Sequence, residues 1–215
     1  MLQVKEQSAR VALIGDIVES RRTGDRQALH DIVAAVLART NAEHAVVDPA
    51  VITLGDEFQG VYATLGDALT AAFRIRAGLR PHDVRFGLGR GDIQTLDSER
   101  GIHDGPAYWA ARDAIVEAAR LAGKAALRTT RTVYLSAEDA PALVTAVNAA
   151  LTSLDHILGS LSPVSWRILG GRLEGLTQQD IAAREGITPS AVSQRVRSDG
   201  IGVAMETMRM LGELP

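Results

Sequence analysis

The chain has 215 residues, 46% of them hydrophobic and 23% charged, which suits one large domain or a domain of about 150 residues with a small appendage. Its formal net charge of −3 argues against indiscriminate nucleic-acid binding by the whole surface, although a small reading head needs only a few well-placed arginines. It has no cysteine, which excludes disulfides, thiolate catalysis and cysteine-ligated zinc or iron–sulfur centres.

The N-terminal residues 1–10 are charged and lack the apolar core of a signal peptide, and no run approaches the length of a membrane span; the expectation is a cytoplasmic protein. Residues 9–18 read as a buried strand carrying Gly15-Asp16 near its end. From Asp25 to Arg39, Leu29, Ile32, Val33, Val36 and Leu37 recur at helical spacing. Ala50–Leu54 and Phe58–Ala63 are strand-like, with Gly55-Asp56-Glu57 between them. Ala68–Leu79 is helical, with Leu69, Ala72, Phe73 and Ile75 as core contacts. Val84–Ile93 returns to strand, and its Gly87, Gly89 and Gly91 call for close approach by another backbone or a ligand. Gly105-Pro106 starts an alanine-rich helix reaching about Leu121, Arg131–Leu135 is a short strand, and Pro141–Leu158 a helix. The order β-α-β-β-α-β followed by additions predicts an α+β, ferredoxin-like palm domain over residues 1–159.

Residues 160–215 differ in character. Ser162-Pro163 starts a helix with Trp166, Leu169 and Leu173 as its apolar stripe, and Gly175 is placed to end it. Thr177-Gln178-Gln179-Asp180 is a capping-box-like start to a second helix, with Ile181 and Ala182 inward. Gly186 supplies a turn, and Thr188-Pro189 caps a third helix carrying Ala191, Val192 and Val196. That is a helix-turn-helix pattern, hence a small all-α domain. With Val192 and Val196 facing the core, 100° per residue puts Ser190, Gln194 and Arg197 on the opposite side, flanked by Ala191 and Ser193, with Arg195 nearer the edge. Together with Thr188 this face suits a helix entering the DNA major groove, where Gln reads adenine and Arg reads guanine or holds phosphate. The plain alternative is a helical bundle with a solvated face. Charge does not decide, since residues 160–215 hold six Arg and six Asp or Glu.

Two strands that each end in Gly-Asp place Asp16 and Asp56 as neighbours, and paired carboxylates of this kind bind Mg²⁺ or Mn²⁺, which in turn holds phosphates. Unpaired they would repel, so a cation is the natural way to keep both ionised. Backbone amides after Asp16, at Ile17-Val18-Glu19, would cradle phosphate, with Ser20 and Arg21 adding donors. The bland alternative makes Asp16 a turn cap and Glu57 a solvated hairpin residue. His103-Asp104 lies where it would reach a ligand or stay solvated, and Tyr108 and Trp109 would stack on a base or pack in a core. The five histidines have no zinc-ligand spacing.

Four segments, Gly15-Asp16-Ile17-Val18-Glu19-Ser20-Arg21, Leu54-Gly55-Asp56-Glu57-Phe58-Gln59-Gly60, Arg85-Phe86-Gly87-Leu88-Gly89-Arg90-Gly91 and Asp104-Gly105-Pro106-Ala107-Tyr108-Trp109-Ala110-Ala111-Arg112, together resemble the SatD family. More distantly, Asp16, the Leu-Gly-Asp hairpin at Asp56 and Arg85-Phe86-Gly87-Leu88 are similar to class III nucleotide cyclases, and Gly55-Asp56-Glu57-Phe58 echoes diguanylate cyclases. That resemblance implies a palm fold, with Asp16 and Asp56 as metal ligands and Ile17 contributing its carbonyl. The pattern departs at Ile52, where cyclases place a base-recognising Lys, at Trp109, where they place an Asn, and at Arg112, one residue early. Leu176 through Ala182, Gly186-Ile187-Thr188 and Ala191-Val192 resemble the helix-turn-helix of sigma-factor region 4 and LuxR-type regulators.

The combined expectation is a homodimeric, DNA-binding transcriptional regulator whose palm domain binds a nucleotide, with Mg²⁺ or Mn²⁺, through Gly15 to Arg21, Gly55, Asp56, Glu57 and Arg112. Losing the base-recognising and transition-state groups while keeping the carboxylates favours a receptor over a catalyst. The alternative is an active nucleotide cyclase or nucleotidyl- or phosphoryl-transferase with a regulatory helical tail, in which Arg90, Arg100 or Arg112 takes over the stabilising role.

Overall fold

Strand β1 (Arg10–Ile17) is apolar on both faces, with Val11 to Ile14 fully buried, and takes the centre of a sheet covered on both sides. The computed structural model describes residues 9–20, 24–43, 46–97 and 102–215. The sheet has the order β2-β3-β1-β4-β7, formed with β2 (Asp48–Leu54), β3 (Glu57–Tyr62), β4 (Val84–Gly91) and β7 (Thr132–Ser136). β1 is antiparallel to both β3 and β4, β2 is antiparallel to β3, and β7 is parallel to β4, so the sheet is mixed. Helices α1 (Arg26–Glu43) and α2 (Leu65–Gly78) make the two crossovers, so β1-α1-β2-β3-α2-β4 follows the split order expected from the sequence.

Alternation along β1 sorts its side chains between two cores. Val11 and Leu13 join the large cluster under α1 and α2, which includes Leu29, Val33, Leu69 and Ile75. Ala12 and Ile14 face α3 (Pro106–Ala122), with Ala107, Ala111 and Ile115. Ile32, expected on the buried face of α1, is 41% exposed, because the helix turns only part of its apolar stripe to the sheet.

The strand glycines admit a backbone. A Cβ on Gly87 would lie 2.2 Å from the Ala111 carbonyl oxygen, and one on Gly89 2.2 Å from both the Ala107 oxygen and the Ala111 nitrogen. α3 therefore lies directly on β4, which answers the choice between backbone and ligand for these two positions. Gly15 is similarly constrained: a Cβ there would meet the Phe58 ring at 2.2 Å.

Two features lie beyond the sequence reading. A short antiparallel pair, β5 (Gln94–Asp97) and β6 (Ile102–Asp104), precedes α3, and α8 (Ile201–Leu211) closes the chain. A third difference concerns α4 (Pro141–Ser160). Its 20 residues are long and apolar enough, by length and composition, to cross a membrane, which corrects the expectation that no run approaches that length. Here its Val147, Leu151, Leu154 and Leu158 face join the main core, and its Asp155 is buried in an ion pair.

Helices α5 (Pro163–Leu173), α6 (Gln178–Glu185), α7 (Pro189–Ser198) and α8 follow. They do not stand off with a core of their own. Trp166, Ile168, Ile181, Val192, Ala204 and Met208 belong to the same buried cluster as the sheet. At the chain end, the Gly66 amide donates to the Leu214 carbonyl at 3.0 Å and Leu65 to Pro215 at 3.2 Å, tying α2 to the segment after α8.

Because helix backbone cannot withdraw as a side chain would, Gly89→Ala is expected to cost about 3 kcal/mol in urea unfolding, at the upper end of overpacking effects. Gly170→Ala, where a Cβ meets nothing within 4 Å, serves as the control and is expected to be neutral or mildly stabilising.

Candidate functional site

The sheet register decides which charged groups meet. Asp16 stands directly across from Glu57 on β3 and from Arg85 on β4. By strand alternation it shares the α3-facing side with Ala12 and Ile14. Arg85 binds Asp16 through both carboxylate oxygens, Nε to Oδ1 at 3.0 Å and Nη2 to Oδ2 at 2.9 Å. Arg112, from the exposed side of α3, grips Glu57 in the same bidentate way, at 2.5 and 2.7 Å. Hydrogen bonding to Glu57 pushes the Arg112 guanidinium further up from its ordinary value, and the nearby charge of Asp16 adds to this. The site is thus a row of two carboxylates and two arginines across β3, β1, β4 and α3.

Asp16 is paired with Arg85 and Glu57 with Arg112, so for Asp16 the repulsion argument for a cation loses its force here. Arg85 as partner of Asp16 was missed in the sequence, where Arg85 stood only as part of a strand motif; its pairing follows from the β1–β4 register. Glu57, and not Asp56, takes the place across from Asp16. Gly55 and Asp56 form the two-residue turn between β2 and β3, with Gly55 in the left-handed region at φ 66°. The Asp56 carboxylate is half-buried and has no hydrogen-bond or ion-pair partner among the described residues. It lines a small cavity with Ser20, Arg26, His30 and Ile52.

The other predicted residues divide clearly. Gly15 seats Phe58, which meets Phe86 edge-on at 6.1 Å. Ile17 is buried in the main core, and the Val18 amide donates to the Asp83 carbonyl at 2.9 Å. Glu19 adopts φ 58°, an uncommon conformation for a side-chain-bearing residue. Ser20 is buried, and Arg21 lies outside the described residues. His103 approaches Asp48 at 3.3 Å and stacks flat on Tyr108, whose phenol is pushed up to about 12 by burial and by the Asp48 charge. Trp109 is 60% exposed and donates to Asp104 at 2.8 Å.

By donor type, the residues fit a hard divalent cation: Asp16, Asp56 and the Ile17 carbonyl are all oxygen ligands. Asp56 is available, whereas Asp16 would have to give up Arg85. Among the described residues no group of three or more His, Asp or Glu gathers in metal-binding geometry.

At the other end of the chain, α6 and α7 form a tight helix pair. Thr177 and Asp180 make a reciprocal capping box on α6, and Gly186 ends it at φ 65°. Thr188 caps α7 by accepting the Ala191 amide at 3.1 Å. Val192 is 0% exposed, while Thr188, Ser190, Gln194 and Arg197 lie open to solvent and Ala191, Ser193 and Arg195 are intermediate. Arg195 is drawn back to Ser165 and Asp199, both at 3.5 Å, whereas Arg197, among the described residues, bonds only Ser193 within its own helix, at 3.2 Å.

The model of the SatD family matches residues 10–214, and the chain belongs to that family. No curated protein matches the sequence. Among solved structures, a bacterial light-regulated adenylyl cyclase is similar over 66% of this chain and 80% of its own, at 13% identity and a TM-score of 0.43. A regulator of polyketide synthase expression from Bifidobacterium adolescentis is similar over 94% of this chain and 84% of its own, at 13% identity and a TM-score of 0.28. Likenesses this distant leave the function to be argued from the site.

If Arg85 is the working counter-ion of Asp16, Arg85→Met is expected to destabilise the fold by about 1–2 kcal/mol, the cost of stranding a half-buried carboxylate. In a double-mutant cycle with Asp16→Asn, urea unfolding is expected to return about 1 kcal/mol of coupling; zero coupling would mean that the pair contributes nothing.

Proposed function

We propose that this SatD family protein is a DNA-binding transcriptional regulator in which α6 and α7 act as a helix-turn-helix and the carboxylate end of the sheet receives a nucleotide. The observation that carries the reading is the face of α7: Ser190, Gln194 and Arg197 open to solvent opposite a fully buried Val192. Arg197 has no carboxylate partner among the described residues, so its charge is available to a base or phosphate. Thr188, Ala191, Ser193 and Arg195 lie beside that face at the helix start and edge.

The palm end is read as a receptor. Arg112, the helix arginine nearest the place where a cyclase stabilises developing phosphoryl charge, is committed to Glu57. A nucleotide would lie by the Gly15–Ser20 crossing and the Gly55-Asp56 turn. Mg²⁺ or Mn²⁺, held by Asp16, Asp56 and the Ile17 carbonyl, would supply positive charge to its phosphates. The exposed apolar side chains of Leu54, Trp109 and Val116 favour a homodimer, which would set two α7 helices against paired half-sites.

The full chain, whose helices share the sheet's core, is the material for the test. On a DNA site selected from a random pool, Gln194→Ala and Arg197→Ala are each expected to weaken retardation tenfold or more with melting unchanged, in line with about 1–3 kcal/mol per base contact. Absence of sequence-selective retardation, or indifference to both substitutions, would overturn DNA reading. For the nucleotide, a metal-dependent rise in melting temperature with one member of a nucleotide panel is expected, and it should vanish in Asp56→Ala. The same incubations, assayed for product, separate receptor from cyclase.

A further inference from the structure

A second polar cavity, of about 330 Å³, lies at the junction of α2, the loop before β7, the end of α4 and the start of α5, and shares no residue with the Asp16–Asp56 end. Four arginines surround it: Arg76, Arg80, Arg128 and Arg131. The carboxylates that answer them are two. Asp155 pairs with Arg76, and Asp83 binds Arg131 at 2.6 Å and reaches Arg80 at 4.0 Å. Arg128 has no carboxylate partner among the described residues, so four positive charges face two negative ones.

The buried arginine is itself incompletely satisfied. The Arg76 side chain is 3% exposed, and its Nε has no hydrogen-bond partner among the described residues. A purely structural ion-pair cluster tends to balance its charge and saturate its buried donors, since both defects are costly away from water. Arg80 lies over the Trp166 ring, 4.8 Å from its centroid, which holds the guanidinium plane in place. Burial lowers the Arg80 guanidinium from its ordinary value, and repulsion from Arg76 and Arg131 adds to this against the pull of Asp83.

We propose that this cavity binds a dianionic phosphoryl group, free or as the phosphate end of a small metabolite. Two negative charges balance the excess of two arginines, phosphate oxygens match the planar fork of Arg80 and Arg128, and the volume admits a compact phosphorylated molecule but no polymer. Occupancy would tie α5, through Trp166 and Arg80, to the loop before β7, and α5 leads directly into α6 and α7. The cavity is therefore placed to couple an anion to the reading helix, independently of the nucleotide at the other site.

Titration calorimetry of the full chain at low ionic strength, with inorganic phosphate, pyrophosphate and AMP as probes, tests this. Saturable binding of at least one probe is expected, weakened tenfold or more in Arg80→Ala/Arg128→Ala. Both side chains are partly or fully exposed, so the fold is expected to hold, and a melting curve checks that it does. Asp56→Ala is expected to leave this binding intact. Preference for inorganic phosphate or pyrophosphate would point to the free ion, and preference for AMP to a phosphorylated metabolite. No saturable binding, binding that the double substitution leaves unchanged, or binding lost in Asp56→Ala would each overturn the proposal.

Discussion

Asp155 sits in the C-terminal half of α4, fully buried, and two separate parts of the chain converge on it. It accepts the Arg76 guanidinium from α2, the backbone amides of Arg131 and Thr132 at 2.6 and 2.8 Å, and sits 3.4 Å from the Thr132 hydroxyl. Burial pushes its carboxyl up, while Arg76 and the two amides pull the other way. A buried charge is tolerable only with this degree of satisfaction, and removing one partner costs far more than the pair contributes. The geometry therefore allows one seating of α4 against β7 and α2. Everything after α4, including α7, is positioned from that seating.

The carboxylate end of the sheet follows a related logic in a more open setting. Two acids and two arginines from β1, β3, β4 and α3 satisfy one another while remaining partly solvated. Such pairs are weak and exchangeable, because water competes for every member. Among the described residues Asp56 keeps a carboxylate without a partner, on a turn whose backbone is set by Gly55.

The C-terminal helices bring a further constraint. Since their apolar faces complete the core begun by the sheet, and the chain end bonds back to α2, any movement of α5 or α8 must be shared with the sheet. That continuity gives a ligand at either end a physical route to α7. Coupling still demands that the ligand bind two arrangements unequally. Neither the cyclase nor the polyketide synthase regulator to which the chain shows distant likeness bears on that requirement.

Much of the local structure was legible in the sequence. Apolar runs and helical spacing placed β1, α1, the β2–β3 hairpin, α2 and β4 within a few residues, because strand and helix periodicity follow from the geometry of the element itself. The Thr177–Asp180 capping box, the Gly186 turn and the open face of α7 were equally readable, since each rests on contacts within one turn or one helix. What pairs across the fold was not. That Glu57 and not Asp56 faces Asp16, that Arg85 answers Asp16, that α3 lies on Gly87 and Gly89, and that Arg76 meets Asp155 all depend on register and on helix seating. Those are decided by the summed packing of residues far apart in the chain, which imprints no period on any one segment. The sequence by itself determined most of the elements and most of the faces they turn inward; only the tertiary structure decided which charges meet, because a charge takes its partner from whatever packing brings within reach.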